Sequence, residues 1–228
     1  VVWPEFGEHA NARACAELPS RVECRVLRHT PRRRVLCIPG APGLLIKQYF
    51  YRGPIDAFKT LARRTPALRE WRALREAERR RLPVPKPLAL GRGERQSLLV
   101  TEFVEPAVTL EDFVKAEPAV GIRRRTIREI AVLIRTMHDA GLYQRDLHPG
   151  NLLLRERDSN HEYFLIDLQR IDLDPFHAPD KRWRDLAAFA GGCEGVSRLD
   201  RRGFFKSYLG VGPGLKGDER RLSGGPQR

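Results

Sequence analysis

The spacing of apolar residues changes character twice along this chain, and each change predicts a different kind of element. Over residues 21–50 the apolar positions come in short runs divided by turn chemistry. Residues 21–27 and 35–38 flank a His29-Thr30-Pro31 turn, and a break from Gly40 to Gly43 precedes 44–50. That pattern predicts three antiparallel strands. Over 66–82 the period becomes helical, with Leu68, Trp71, Leu74 and Ala77 or Glu78 three and four apart and arginines on the other face. Pro83, Pro85 and Pro87 stop this helix, because proline lacks an amide proton and its ring clashes with the preceding turn. Residues 88–90 and 98–104 read as two more strands, the second a nearly continuous apolar run that predicts burial on both faces.

Beyond Pro106 the pattern predicts helices. Thr109, with Glu111 and Asp112 behind it, has the chemistry of an N-cap. Residues 123–140 carry the longest helical pattern, with Ile127, Ile130, Ala131, Ile134 and Met137 on one face and Gly141 as its stop. Residues 152–154 and 163–166, joined by a polar turn at 158–160, predict a β-hairpin. Two further helices are expected at about 181–190 and 201–209, and residues 211–228, rich in Gly, Pro and charge, read as a flexible tail. The chain is therefore expected to be α+β, with a strand-rich half carrying one helix and a mainly helical half, joined by an extended connection at 102–108.

Composition narrows the class. The 228 residues are 41% hydrophobic and 31% charged, close to the globular average, which excludes wholesale disorder and fibrous repeats. Cys15, Cys24, Cys37 and Cys193 form no Cys-x-x-Cys pair, so a reducing compartment fits better than a disulfide framework. No apolar run approaches the roughly 18 residues that span a bilayer, and residues 1–10 lack the basic-then-apolar order of a leader, so a soluble or peripheral protein is expected. Lys and Arg number 42 against 29 Asp and Glu, a formal charge of +13, which points either to a phosphate-rich partner or to arginine-favouring codons. Without aromatic interleaving among the basic runs, nucleic acid is not expected as that partner.

The informative stretch is Gln144-Arg145-Asp146-Leu147-His148-Pro149-Gly150-Asn151, followed by the hairpin and Leu165-Ile166-Asp167. An aspartate, an asparagine five residues later and a second aspartate 21 beyond the first is a layout that phosphoryl transfer requires. Asp146 would orient the acceptor hydroxyl and take its proton. The Asn151 oxygen and the Asp167 carboxylate would hold Mg²⁺, which bridges and neutralises the phosphates of ATP. Upstream, Lys47 lies in an alternating strand, where a kinase needs a lysine for the α- and β-phosphates. Its carboxylate partner should come from the next helix. Glu70 is preferred because it adjoins Trp71, whereas Glu76 and Glu78 sit among arginines and read as surface ion pairs.

These residues carry a resemblance. The chain resembles the protein-kinase-like fold and, within it, the lipopolysaccharide kinase family that phosphorylates heptose or 3-deoxy-manno-octulosonic acid (Kdo) of the inner core. The similar segments are Leu45-Ile46-Lys47 with Arg52-Gly53, Arg69-Glu70-Trp71, 109–113, 137–141, the Arg145-Asp146 loop, Ile166-Asp167-Leu168-Gln169-Arg170, Arg182-Trp183-Arg184-Asp185-Leu186 and 204–208. The resemblance implies two lobes: residues 1–101 as the N-lobe, 102–108 as the hinge and 109–210 as the C-lobe. It implies that Lys47 meets nucleotide phosphates and pairs with Glu70, that the backbone of Glu102 and Val104 meets adenine, that Asp146 is the base, that Asn151 and Asp167 ligate the metal, and that Asp185 anchors the catalytic loop.

It also implies an acceptor glycolipid of the lipopolysaccharide core and peripheral contact with the anionic inner face of the cytoplasmic membrane. There each nearby Lys or Arg contributes about 1 kcal/mol, and the runs 32–34, 79–81 and 123–125 are the candidates for docking. Gln144 and Gln169 stand where the resemblance leads one to expect histidines. No glycine-rich loop occupies 29–34, so other backbone groups or Arg32, Arg33 and Arg34 are candidates to cover the phosphates. Retention of Asn151, which enterobacterial heptose kinases do not keep, leaves Kdo and heptose both open. An aminoglycoside-type kinase and a pseudokinase are the alternatives, and a protein kinase is disfavoured by the short span from Asp167 to Asp185.

Overall fold

The strand pattern at the front of the chain builds one antiparallel sheet in the order β1-β2-β3-β5-β4. These elements are Arg25–Thr30 (β1), Arg33–Ile38 (β2), Leu44–Phe50 (β3), Pro87–Arg92 (β4) and Gln96–Glu102 (β5). The structure is a computed structural model and describes residues 24–40, 42–51, 65–92, 95–157, 160–174 and 179–211; the tail expected at 211–228, apart from Val211, and the first part of the strand expected at 21–27 lie outside that set. The chain divides into two compact units, one of residues 1–76 and 85–105, the other of 77–84 and 106–228.

In the first unit β2 begins two residues before its expected start, because Thr30 closes a tight turn. Its hydroxyl accepts from the Arg33 amide at 3.0 Å and donates to the Arg33 carbonyl at 3.1 Å. Lys47 lies at the centre of β3, opposite Val35 on one side and Leu99 on the other. The sheet core is Leu36, Ile46, Leu88, Ala89, Leu98 and Val100. As the apolar run predicts, residues 97–101 of β5 are all buried.

Helix α1, Pro66–Arg79, starts where Thr65 caps it, the hydroxyl accepting from the Leu68 amide at 3.2 Å. It ends ahead of the first proline, because Arg81 turns left-handed (φ 58°), with Leu82 N bonded to Ala77 O and Arg81 N to Glu78 O. That is a helix-ending pair of bonds that glycine usually accompanies.

The second unit is mainly helical: α2 (Leu110–Lys115), α3 (Val120–Asp139), α4 (Pro179–Gly191) and α5 (Arg198–Tyr208). Thr109 caps α2 as expected, accepting from the Asp112 amide at 3.0 Å. The apolar face of α3 is buried through Ile127, Ile130, Ala131, Ile134 and Met137. Truncating one of these isoleucines or Met137 to Ala costs about 2–5 kcal/mol. The hairpin consists of β8 (Leu152–Arg157) and β9 (Asn160–Leu165).

Three strands were not legible in the hydrophobic pattern. β6 (Val108–Thr109) adds to β8, and β7 (Leu142–Gln144) pairs with β10 (Ile171–Leu173). All are two or three residues long, too short to show a period. Gly141, at φ +70°, lets α3 turn into β7, and a Cβ there would lie 2.6 Å from the Asp174 carbonyl. Among the described residues no helix is long and apolar enough to cross a membrane.

Candidate active site

The first unit buries an ion pair. Lys47 Nζ donates to Glu70 Oε1 at 2.5 Å, and Tyr49, two residues along the same face of β3, donates its hydroxyl to Glu70 Oε2 at 2.9 Å. Lys47 is 8% exposed, Tyr49 5% and Glu70 1%, so both carboxylate oxygens are held inside the unit. The structure thus joins Lys47 to Glu70 rather than to Glu76 or Glu78, which are half-buried. Tyr49 was missed by sequence reasoning, although its i+2 spacing from Lys47 was the available signal.

At the end of β5 the Glu102 amide donates to Lys86 O and the Phe103 amide to Gly43 O. These bonds fix the backbone path into the buried Val104. Of the arginines expected to cover phosphates, Arg34 is engaged elsewhere: its guanidinium donates to Gln48 Oε1 at 2.7 and 3.0 Å.

In the second unit the residues from Gln144 to Asn151 leave β7 and close on themselves. His148 is extended, and its Nδ1 accepts from the Gly150 amide at 3.1 Å, starting a 3-10 turn over Pro149–Asn151. This places the ring proton on Nε2. Asn151 turns back, its Nδ2 donating to Asp146 O at 2.9 Å, which leaves the Oδ1 face of the amide as the part it can offer a cation. The Ile166 amide donates to Asn151 O at 3.0 Å, so the hairpin delivers Asp167 beside Asn151. Asp167 itself is left-handed (φ 57°, ψ 50°), a conformation that costs a non-glycine residue about 1 kcal/mol or more. Gln144 holds it: wholly buried, its Nε2 donates to Ile166 O at 3.0 Å and Asp167 O at 3.4 Å. Gln144, standing where the resemblance leads one to expect a histidine, is therefore the pin between the Asp146 loop and Asp167.

The donor set suits a hard divalent cation of the magnesium kind, which takes one or two protein oxygens and fills its remaining positions with water and phosphate. Among the described residues no three His, Cys, Asp or Glu gather as a self-sufficient metal cage.

Charge around Asp146 is arranged in two groups. Arg145 and Lys181 reach Asp172 at 3.3 and 3.2 Å, and Lys181 also reaches Asp174 at 2.9 Å. Burial works to raise the Asp172 carboxyl, but its bonds to Lys181 and Arg145 outweigh that and hold it below the usual range. The other group, among the described residues, is Arg170 alone, its Nη1 3.8 Å from Asp146 Oδ2.

Asp185 is fully buried, and its partners are the His138 ring at 3.5 Å and the Arg184 guanidinium at 2.9 Å rather than the Asp146 loop. It reaches β7 indirectly, since His138 stacks on Tyr143 and bonds the Tyr208 hydroxyl at 2.7 Å. A cavity of about 1200 Å³ opens beside His148 and Pro149, walled by Leu110, Ile127, Phe189 and Phe204. Its charged lining is balanced, Lys115, Arg123 and Arg201 against Glu111, Glu117 and Glu194, and is not the acidic wall a polycationic acceptor would need.

The sequence profile described as the lipopolysaccharide kinase (Kdo/WaaP) family matches residues 54–206. The chain belongs to this family. Over 171 residues it is 28% identical to the lipopolysaccharide core heptose(I) kinase WaaP of Escherichia coli K12, which spans 66% of this chain and 64% of that one. Over 143 residues it is 34% identical to the 3-deoxy-D-manno-octulosonic acid kinase of Xanthomonas campestris pv. campestris B100, covering 60% and 50%.

The chain spans about half to two thirds of the length of these curated relatives. The expected kinase-like fold is borne out by solved structures. One of WaaP in complex with acyl carrier protein covers 98% of this chain and 93% of that one at a TM-score of 0.69 and 24% identity. An aminoglycoside-3'-phosphotransferase of type VIII covers 95% and 97% at a TM-score of 0.64 and 18% identity. Membership in the Kdo/WaaP family, rather than the shared fold, separates the first kind of relative from the second.

Proposed function

We propose that this chain is an ATP- and Mg²⁺-dependent kinase that phosphorylates a hydroxyl of a lipopolysaccharide inner-core sugar, Kdo or heptose. The observation that carries this reading is the buried Lys47–Glu70 pair in a chain whose Asp146, Asn151 and Asp167 are bonded into one loop system. Lys47, its ammonium oriented by Glu70, neutralises nucleotide phosphate oxygens, and the backbone of Glu102 and Val104 receives the adenine edge. Asn151 and Asp167 hold the Mg²⁺ ion, which when bound offsets charge building on the transferring phosphoryl group.

Asp146 does the proton work. Its carboxylate accepts a hydrogen bond from the acceptor hydroxyl, turning an oxygen lone pair toward the γ-phosphorus. As the new P–O bond forms and the β–γ bridge breaks, the bridging electron pair leaves with ADP and the hydroxyl proton passes to Asp146. Gln144 keeps Asp167 in register with Asp146 through this step.

The chain carries Lys47, Glu70, Asp146, Asn151 and Asp167, every side chain that phosphoryl transfer calls for, which favours turnover over a pseudokinase. The enzyme acts at the inner face of the cytoplasmic membrane, where its acceptor is embedded. The 123–125 run contributes little to docking, because Arg123 and Arg124 pair with Asp200 at 3.1 and 3.6 Å and Arg125 with Glu129 at 2.9 Å. The test is transfer of label from [γ-³²P]ATP to lipid A bearing Kdo, or Kdo and heptose, with Asp146→Ala as the control. Label in the glycolipid with wild type alone supports the reading; none with wild type on any inner-core acceptor contradicts it.

A further inference from the structure

Arg170 is fixed at its backbone and open at its tip. Its carbonyl accepts from the Arg145 amide at 3.3 Å, and the next residue, Ile171, enters the β10 pairing opposite Gln144. Leu168, at the start of the same short turn, is completely buried. The guanidinium emerges from this anchored turn 3.8 Å from Asp146 Oδ2, with 65% of the Arg170 side chain and 53% of the Asp146 side chain exposed. A pair this exposed and beyond hydrogen-bond distance contributes little to stability. Most of its five N–H donors therefore remain available to something bound at Asp146.

The neighbouring cations are differently placed. Arg145 and Lys181 already share Asp172, and Lys181 also holds Asp174, so that group carries its own counter-charge. An acceptor hydroxyl that bonds Asp146 stands next to Arg170. If the acceptor carries a carboxylate or phosphate near that hydroxyl, the anion meets the carboxylates of Asp146 and Asp167 and needs a cation within reach. A neutral polyol has no such need. A guanidinium is the group whose planar fork matches either anion with two parallel bonds.

We propose that Arg170 is a specificity-determining residue that selects an acceptor sugar carrying an acidic group beside the hydroxyl to be phosphorylated. This rests on the kinase reading and narrows its acceptor to the acid-sugar class, with a sugar phosphate as the other source of the same anion.

The experiment compares wild type and Arg170→Gln on Kdo-bearing lipid A, on the same glycolipid with its Kdo carboxylates converted to amides, and on a heptosylated core bearing phosphate. Nucleotide affinity is measured for both proteins to confirm an intact fold. The ratio of kcat/KM for the acid over the amide is expected to exceed ten in wild type and to fall about tenfold or more in Arg170→Gln. A wild-type preference for the phosphorylated heptose core that the substitution abolishes assigns the anion to phosphate instead. An unchanged acid-to-amide and phosphate preference in the variant overturns the proposal.

Binding of glucuronate and glucuronamide, followed by saturation-transfer NMR with ADP and Mg²⁺ present, separates this from failure of the kinase reading. If wild type transfers phosphate to no glycolipid, the kinase reading fails. A preference for glucuronate that Arg170→Gln removes still supports the anion site, and equal binding of the two sugars overturns it.

Discussion

Glu70→Gln isolates the energetics of the buried pair. The change keeps the shape of the side chain and an acceptor for the Tyr49 hydroxyl, but removes the negative charge 2.5 Å from the Lys47 ammonium. With Lys47 only 8% exposed, its charge is left largely desolvated beside a neutral amide. Removing one partner of a buried pair costs about 3–5 kcal/mol.

Replacing the lysine as well, in Lys47→Met/Glu70→Gln, removes the charge that has lost the Glu70 carboxylate. Exchanging a buried ion pair for neutral groups is close to neutral, so the double variant should recover to within about 1–2 kcal/mol of wild type. Urea unfolding followed by fluorescence measures all three proteins. The midpoint should drop for Glu70→Gln and rise again for the double variant, while phosphate transfer is lost in both. A single variant within about 1 kcal/mol of wild type, or a double variant no more stable than the single, would refute the claim that the pair is buried as a mutual dependence.

Gln144→Leu removes both bonds to the Ile166 and Asp167 carbonyls and leaves those acceptors without their donor, at about 1–3 kcal/mol. Titration of activity and of Mn²⁺ binding by paramagnetic resonance should show a weaker metal requirement curve, with Gln144→His recovering part of it. Gly192→Ala puts a Cβ 2.8 Å from Pro149 Cδ and 3.4 Å from His148 Cβ, so overpacking of about 1–3 kcal/mol should appear as a lower melting temperature. Burial pushes the Cys193 thiol up to about 11 from an ordinary 9.0. Iodoacetamide labelling of Cys193 should therefore be slow at pH 8 and accelerate toward pH 11. Because its folded value is raised, its contribution to stability is present below pH 9 and is lost as pH rises through 11. Asp172 has the opposite sign: its lowered carboxyl supports the fold above the ordinary value of 3.8 and loses that support as pH drops from there through the lower folded value, which acid unfolding of Asp172→Asn, being flatter in that window, would reveal.

The long periodic elements were legible because burial on one face imposes a spacing. The apolar stripe of α3 and the run in β5 specify their elements before any tertiary information, and Thr109 marks the start of α2 by its capping chemistry, whereas the Thr65 cap of α1 emerged only in the structure. The pairing of β7 with β10 was not legible. It joins three-residue segments 27 positions apart, and its register depends on Gly141 turning left-handed and on the Arg145 to Arg170 bond.

The site followed the same division. Asp146, Asn151 and Asp167 declare themselves by residue type and spacing, and Lys47 finds Glu70 through strand and helix position. Gln144, Tyr49 and Arg170 act through where the backbone brings them. A glutamine bonding two carbonyls, or an arginine whose tip approaches an aspartate 24 residues earlier, has no local signature in the chain. Asp185 shows the limit from the other side, since its motif was visible but its contacts run to His138.

Phosphoryl transfer at Asp146 to an inner-core sugar leaves a covalent product on the glycolipid. Mass spectrometry of Kdo-bearing and heptosylated lipid A after incubation with ATP, Mg²⁺ and the protein tests it directly. One added phosphate on the sugar is expected with wild type and none with Asp146→Ala, although both bind nucleotide. Unmodified glycolipid with a wild-type protein that binds ATP normally, or equal modification by Asp146→Ala, would contradict it.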